Sequence, residues 1–260
     1  MYRGLAVAVV VPAYNEADRL ARTLRSVPGF VDRVIVVDDA SRDDTLKVAQ
    51  RSRRRGLEVV RHATNRGVGA ATATGYRRAL ARGADVAVVM AGDAQMDPVD
   101  MPALLDPVAA GRADYVKGNR FGHRAVWRVM PFWRLLGNIV LSFLTKVSSG
   151  CWRVFDSQCG YTAITSRAIA RLDLDRLFPR YGYPNDVLAR LRVSGCRVLD
   201  APVRPVYGPD WRSGIRLRTV IYPIAYLLVR TFLWRVAWMI GGLLGRAYRC
   251  PDHLVPTREV

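Results

Sequence analysis

The sequence is poor in the side chains that build metal cages and disulfide frameworks. Four cysteines (Cys151, Cys159, Cys196, Cys250) and three histidines are scattered over 260 residues, with no CxxC pair and no His at metal-ligand spacing. That scarcity argues against structural zinc and leads us to expect reduced thiols in a cytosolic setting. Negative charge is scarce too. Against 40 basic residues, nearly all arginine, stand 22 acidic ones, a formal net charge of +18. Such a field favours anionic partners: nucleotides, phospholipid headgroups or nucleic acid. Nucleic acid is not expected, because the charge is spread along the whole chain rather than gathered in one stripe with interleaved aromatics. A long apolar run is also missing. The longest uncharged stretch of the C-terminal part is residues 219–229, whereas a spanning helix wants about 20 predominantly apolar residues. Residues 5–12 are apolar but too short for a secretory signal, and they lead directly into Tyr14-Asn15-Glu16, so we read a strand there. No internal repeat or low-complexity linker interrupts the chain.

What the chain does have is a rhythm. Short β-branched runs at 5–11, 34–37, 57–60 and 86–90 alternate with helical patterns at 16–26, 43–55 and 69–82. That alternation predicts an α/β fold with a mostly parallel, Rossmann-like sheet flanked by helices. A helix at 98–110 and a strand at 114–117 follow. The second half is less regular: a helix over 132–148 with Leu135, Leu136, Ile139, Val140, Phe143 and Leu144 on one face, a strand or turn at 156–164, helices at 166–172 and 184–193, and a strand at 197–201. The last fifth is dominated by Val, Ile, Leu, Tyr, Phe and Trp but broken by Arg230 and Arg235. With Tyr226, Trp234 and Trp238 beside those arginines, it reads as helices lying on a membrane surface. A spanning helix and a pair of helices packed on the main domain are the alternatives. The expected organisation is a domain over 1–212, an amphipathic or apolar helical tail over 213–248, and a disordered C-terminus over 249–260.

The chemistry gathers where strands end. After the apolar run closing at Met90 come Gly92, Asp93, Ala94, Gln95, Asp97 and Pro98. Ligands of open α/β sheets sit beyond the carboxyl ends of the strands. Two oxygen donors there, Asp93 and Gln95, suit a divalent cation (Mg²⁺ or Mn²⁺) carrying a diphosphate. Asp97 before Pro98 reads as a helix cap. The first strand ends in Pro12-Ala13-Tyr14-Asn15-Glu16 and the second in Asp38-Asp39-Ala40-Ser41-Arg42-Asp43-Asp44-Thr45. Asp43 and Asp44 are placed to cap the next helix, while Asp38 and Asp39 lie before it and keep a reading as acceptors for a base or ribose.

Together with Asn65-Arg66-Gly67-Val68-Gly69-Ala70, these elements resemble the family 2 glycosyltransferases with the GT-A fold. The chain looks most like their polyprenyl-phosphate, dolichyl-phosphate mannose synthase-like branch. That likeness adds Gly118-Asn119-Arg120-Phe121, Arg134 with Asn138, Asp156-Ser157-Gln158-Cys159-Gly160-Tyr161, and Arg212-Ser213-Gly214-Ile215. The resemblance implies that Pro12, Tyr14 and Glu16 hold the nucleotide base, with Asp38 or Asp39 nearby. It implies that Asp93 and Gln95 are the metal ligands and that Arg120 and Arg134, with Asn138, hold an acceptor lipid's phosphate. Guanidinium grips phosphate by paired hydrogen bonds, so that role makes physical sense. Arg212 is the candidate for the departing diphosphate.

Two positions depart from the family pattern. The acidic motif is usually Asp-x-Asp, and its first place here is Ala91; a catalytically inactive, membrane-bound scaffold is the corresponding alternative. Asn185-Asp186 falls where hydroxyl-transferring relatives place a Glu-Asp pair containing the catalytic base. A sugar hydroxyl needs such a base, whereas a phosphate monoester is already anionic. Asp186 is thus a catalytic base for a hydroxyl acceptor, or the acidic start of a helix. The leading expectation is metal-dependent, inverting transfer from a nucleotide-diphosphate sugar to a polyprenyl phosphate, at the cytoplasmic face of the cell membrane.

Overall fold

The structure is a computed structural model that describes residues 1–206 and 220–243. Four parallel strands open the chain: β1 (Val7–Ala13), β2 (Arg33–Asp38), β3 (Leu57–Arg61) and β4 (Val86–Val89). Helices α1 (Ala17–Ser26), α2 (Thr45–Arg51) and α3 (Val68–Ala81) connect them. All seven residues of β1 are buried, as a strand covered by helices on both faces requires. Its alternation splits the core in two. Val7, Val9 and Val11 pack with Leu20, Leu24, Met101 and Leu104, while Ala8 and Val10 pack with Ala71, Tyr76, Val187 and Leu188. At Gly75 a Cβ would fall 2.1 Å from Val10 Cγ1, so only glycine lets α3 lie this close to the sheet.

After α4 (Met101–Ala109) the sheet gains β5 (Tyr115–Asn119), β6 (Thr162–Thr165) and β7 (Val198–Pro202). The order is β3-β2-β1-β4-β6-β5-β7, with β6 antiparallel to both neighbours and β5 parallel to β7. The sheet is therefore mixed and mostly parallel. Two elements are shorter than the sequence suggested. Helix α2 stops at Arg51 because Arg54, donating to the carbonyls of Val27 and Pro28, pins the following segment as a loop. Strand β6 starts at Thr162, since Asp156 and the Cys159 carbonyl are taken up by Arg120 and Lys117. Asp97 caps the turn before α4 as expected, its carboxylate accepting from Val99 N.

Helices α5 (Val126–Val129), α6 (Phe132–Ser149), α7 (Ser166–Ala170), α8 (Tyr183–Val193) and α9 (Tyr226–Leu243) complete the description. Helix α6 is inside out. Asn138, Ser142, Thr145, Ser148 and Ser149 are buried, while Phe132, Trp133, Leu136, Ile139, Val140, Phe143 and Leu144 are exposed, Trp133 by 79%. Of the apolar face read from the sequence, only Leu135 is buried. Helix α9 lies alongside α6 and runs in the same direction: Leu141 packs with Ile224 and Leu228, and Arg235 donates to the carbonyls of Val147 (2.8 Å) and Ser148 (3.0 Å). Arg230 meets Asp186 at 3.1 Å. The two arginines read from sequence as interfacial charges are thus turned into the protein. Tyr226, Val229, Leu233, Met239 and Ile240 of α9 remain exposed. Among the described residues no helix is long and apolar enough to cross a membrane. The expected boundary at 212–213 and the segment 249–260 lie outside the described residues.

Candidate active site

A cavity of about 500 Å³ opens at the carboxyl ends of β1 and β4. Three loops leave this edge, each through a non-glycine residue in the left-handed region: Asn15 (φ 56), Ala40 (φ 59) and Ala94 (φ 57). A side chain there costs roughly 1–2 kcal/mol, so the loops must be held from outside. The first two hold one another, and the third is tied to β1 by Gly92 N donating to the Pro12 carbonyl (3.2 Å). Asn15 N donates to Ser41 Oγ (3.0 Å), Arg42 N to Asn15 Oδ1 (2.9 Å), and Glu16 N to Thr45 Oγ1 (2.8 Å). The clasp fixes Tyr14 and Glu16 at the cavity wall beside Pro12, Asp93 and Gln95.

The paired aspartates divide. Asp39 lines the cavity, and its carboxylate accepts from Arg66 N (2.9 Å) and Gly67 N (2.7 Å) and meets His62 Nδ1 at 2.7 Å. It therefore anchors the loop that feeds α3. Asp38 is fully buried behind the wall, accepting from Ser41 N at 3.3 Å, and is not part of the lining. Asp43 accepts from Thr45 N and Ala17 N, at the start of α2 as expected, whereas Asp44 makes no cap hydrogen bond and pairs instead with Lys47.

Glu16 and Asp93 form the acidic side of the cavity. Burial raises the carboxyl pKa of both, and the charge of Asp93 raises that of Glu16 further. Two carboxylates in this state favour a cation, which would relieve both the desolvation and the repulsion. Asp93 accepts from Gln95 N at 3.0 Å, which sets the turn that brings Gln95 to the wall. Among the described residues no three His, Cys, Asp or Glu side chains form a metal cage. A cation held by Asp93 and Gln95 would take its other ligands from substrate oxygens and water, as Mg²⁺ commonly does.

Arg120 and Arg134 line the same cavity. Arg120, just after β5, is gripped by Asp156, Nε to Oδ2 at 2.6 Å and Nη2 to Oδ1 at 2.9 Å. Asp156 is fully buried; burial works to raise its pKa, yet the Arg120 guanidinium brings it below the ordinary carboxylate value. Behind them lies Lys117, also fully buried and depressed by that burial, donating to the Cys159 carbonyl. The bidentate pair fixes the plane of the Arg120 fork. Arg134 stands in the first turn of α6. Asn138, one turn on, faces Met130 Sδ (3.6 Å) and does not line the cavity. Asp186 does not line it either: Oδ2 accepts from Phe178 N (3.0 Å) and Arg190 Nε (3.0 Å), and Oδ1 from Arg230 Nη2 (3.1 Å). Arg212 lies outside the described residues.

Sequence reasoning passed over residues 178–184, Phe-Pro-Arg-Tyr-Gly-Tyr-Pro, as site residues, and five of them reach the wall: Arg180, Tyr181, Gly182, Tyr183 and Pro184. Burial, then the charges of Asp93 and Glu16, raise the pKa of Tyr181, which places its hydroxyl near the acidic side. An arginine and two tyrosines bracketed by prolines were the available signal. Arg204, paired with Asp97 at 3.3 Å, is a further unpredicted lining residue.

Comparison with known proteins gives the family and the fold. The family model described as Glycosyl transferase family 2 matches residues 8–173. A UDP-N-acetylglucosamine–dolichyl-phosphate N-acetylglucosaminyltransferase of Methanococcus voltae is 28% identical, over 77% of this chain and 86% of its own. An undecaprenyl-phosphate mannosyltransferase of Micrococcus luteus is 31% identical, over 76% of this chain and 83% of its own. The crystal structure of glucosyl-3-phosphoglycerate synthase from Mycobacterium tuberculosis, in complex with Mn²⁺, UDP and phosphoglyceric acid, superposes with a TM-score of 0.65 at 22% identity, covering 89% of this chain and 78% of that one. The fold is accordingly of the GT-A type.

Proposed function

We infer the reaction from one premise: this chain belongs to glycosyl transferase family 2 and is a glycosyltransferase. The reading is inverting transfer of a sugar from a nucleotide-diphosphate sugar to a polyprenyl phosphate, aided by a divalent cation. The observation that carries it is a single cavity whose lining includes the carboxylates Glu16 and Asp93 and, among its four arginines, Arg120 and Arg134. The first pair suits a cation with its diphosphate; the second suits a phosphate monoester. The relatives named for dolichyl-phosphate and undecaprenyl-phosphate transfer support that acceptor class.

On this reading Pro12, Tyr14 and Asp39 border the nucleotide base, and Asp93 and Gln95 would hold the cation. Bound there, the cation would offset charge developing on the leaving diphosphate. Arg120, its plane fixed by Asp156, and Arg134 orient the acceptor phosphate for in-line attack at the anomeric carbon. The nucleophile is ionised in advance, so no base is needed. The position of Asp186 supports this, because it sits outside the cavity with three donors on its carboxylate. A hydroxyl acceptor with Asp186 as base would require that carboxylate in the cavity.

The same reading places the enzyme at a membrane surface, on its cytoplasmic face. Helices α6 and α9 pack together, each with apolar side chains exposed, and α6 also carries Arg134 into the cavity. Exposed Trp127 and Arg128 stand before α6, and exposed Trp152 and Arg153 after it. Aromatic and basic groups flanking an apolar face suit the headgroup layer. A panel of radiolabelled UDP- and GDP-sugars, incubated with polyprenyl phosphate and Mn²⁺, should yield label in the lipid extract for at least one donor. No labelled lipid from any donor would contradict the proposal.

A further inference from the structure

We propose that Asp186 is a positioning residue, which ties helix α9 to the cavity-lining segment 178–183 and so sets the donor side of the cavity. The inference rests on the nucleotide use of the cavity proposed above. One buried carboxylate, 3% exposed, serves three elements: Phe178 N at the start of the segment, Arg190 on α8, and Arg230 on α9.

The segment is held between α9 and α3. On one side, the Pro179 carbonyl accepts from Gly69 N (2.8 Å) and Ala70 N (3.1 Å), so it satisfies amides at the start of α3. The fit is tight, because a Cβ at Gly69 would fall 2.1 Å from the Phe178 carbonyl oxygen. On the other side, Gly182 (φ +106) is covered by Leu227 Cδ2, 3.0 Å from where a Cβ would stand, with Ile224 beside it. Between these contacts Arg180 and Tyr181 reach the cavity wall, with Arg180 Nη1 3.4 Å from Asn65 Oδ1. Nothing in that arrangement brings Asp186 to a substrate. Everything in it makes the seat of α9 a condition for where Arg180 and Tyr181 stand. Since α9 also presents an apolar face outward, the clasp links the protein's outer helix to its nucleotide site.

The test compares the full chain with Arg230→Gln, Arg230→Lys, Asp186→Asn and the double variant Asp186→Asn/Arg230→Gln. Asp186→Asn strands both Arg190 and Arg230 and can unfold the protein, whereas Arg230→Gln leaves Asp186 paired with Arg190 and keeps the fold testable; the double variant leaves only Arg190 without its carboxylate. Hydrogen exchange should accelerate at least tenfold at 178–183 in Arg230→Gln and in the double variant, with β1 and β2 unchanged. Affinity for UDP or GDP in the presence of Mn²⁺ should fall at least tenfold, while the KM for polyprenyl phosphate stays within about twofold. Arg230→Lys should recover part of the loss, and the double variant should be no worse than Asp186→Asn. Unchanged exchange at 178–183 in both Arg230→Gln and the double variant would overturn the proposal. So would a loss confined to kcat in Asp186→Asn with Arg230→Gln unaffected, the mark of a catalytic base. Should the unaltered protein bind neither nucleotide, the donor assignment falls, and the exchange result alone decides whether the clasp exists.

Discussion

The two halves of this molecule solve opposite problems with the same few residue types. In the first half, β1, β2 and β4 are sealed between helices, and polar groups emerge only at the carboxyl edge, where Asn15, Ala40 and Ala94 turn the chain in left-handed conformations. In the second half, α6 buries Ser and Thr and turns Phe132, Trp133, Ile139 and Phe143 outward. The first half binds by concentrating polarity on an apolar frame; the second exposes apolar surface on a polar-lined helix. Arg134 stands where the halves meet, on the inside-out helix but at the cavity wall. The contrast teaches that the side of the cavity proposed for the acceptor is built on a helix that exposes its apolar face.

The largest expected effect tests the polar edge. Asp93→Asn removes the charge assigned to the cation and should cut turnover about 10²–10³-fold, in line with loss of one preorganised electrostatic contact. Gln95→Ala should cost less, because it carries no charge. Full activity of Asp93→Asn in excess chelator would break the donor half of the comparison. The raised pKa of Asp93 and Glu16 has a direction to check as well. Both carboxylates take up protons at a higher pH than ordinary ones, so cation-dependent nucleotide affinity should begin to fall above pH 4.5, the ordinary Glu value, as pH is lowered.

Next is Arg134. Arg134→Ala should raise the acceptor KM by roughly 10- to 150-fold, the equivalent of a lost charge-assisted contact worth about 1.5–3 kcal/mol. Arg120→Ala should do the same but also lower Tm, since it strands the fully buried Asp156. Normal acceptor KM in both variants would separate α6 from the site.

The outward face of α6 gives the third test. Trp133→Ser with Phe143→Ser should reduce sedimentation with phosphatidylglycerol-containing liposomes at least tenfold while leaving nucleotide affinity intact. High salt should release the unaltered protein in part, through exposed Arg128 and Arg153 rather than the inward-facing Arg230 and Arg235. Undiminished liposome binding by the double variant would assign the face to another occupant.

The smallest effect concerns stability. Burial lifts Asp200 on β7 to a pKa of about 7. Folded protein then holds a proton that unfolded protein has lost between about pH 4 and pH 7, so this residue makes stability fall as pH rises through that window. Asp200→Asn should remove the decline and gain on the order of 1–2 kcal/mol at pH 8 relative to pH 5, as urea unfolding would show. A pH-independent difference between the two proteins would contradict it.

Much of the first half was legible because its signals are local. Apolar runs, turn chemistry at Asp97-Pro98 and the strand-end motifs each report on their own few residues. What stayed hidden depends on distant partners. Hydrophobic periodicity reveals that α6 has an apolar stripe, but not that the stripe points away from the core. Asp38 and Asp39 are adjacent in sequence and differ only in which side of the strand end they leave. Arg230 and Arg235 look like interfacial charges until Asp186 and the end of α6 supply their partners. Segment 178–184 gained a role only through its contacts with α3 and α9.

The central claim, that a phosphate rather than a hydroxyl receives the sugar, is tested most directly by pairing two acceptors that differ only in that group. With the labelled donor and Mn²⁺ held constant, polyprenyl phosphate and the corresponding polyprenol are offered to the unaltered enzyme and to Arg134→Ala. The account predicts label in the lipid extract only with the phosphate, and a loss in Arg134→Ala that raising the phosphate concentration recovers. Equal or preferential labelling of the polyprenol, undiminished in Arg134→Ala, would contradict it.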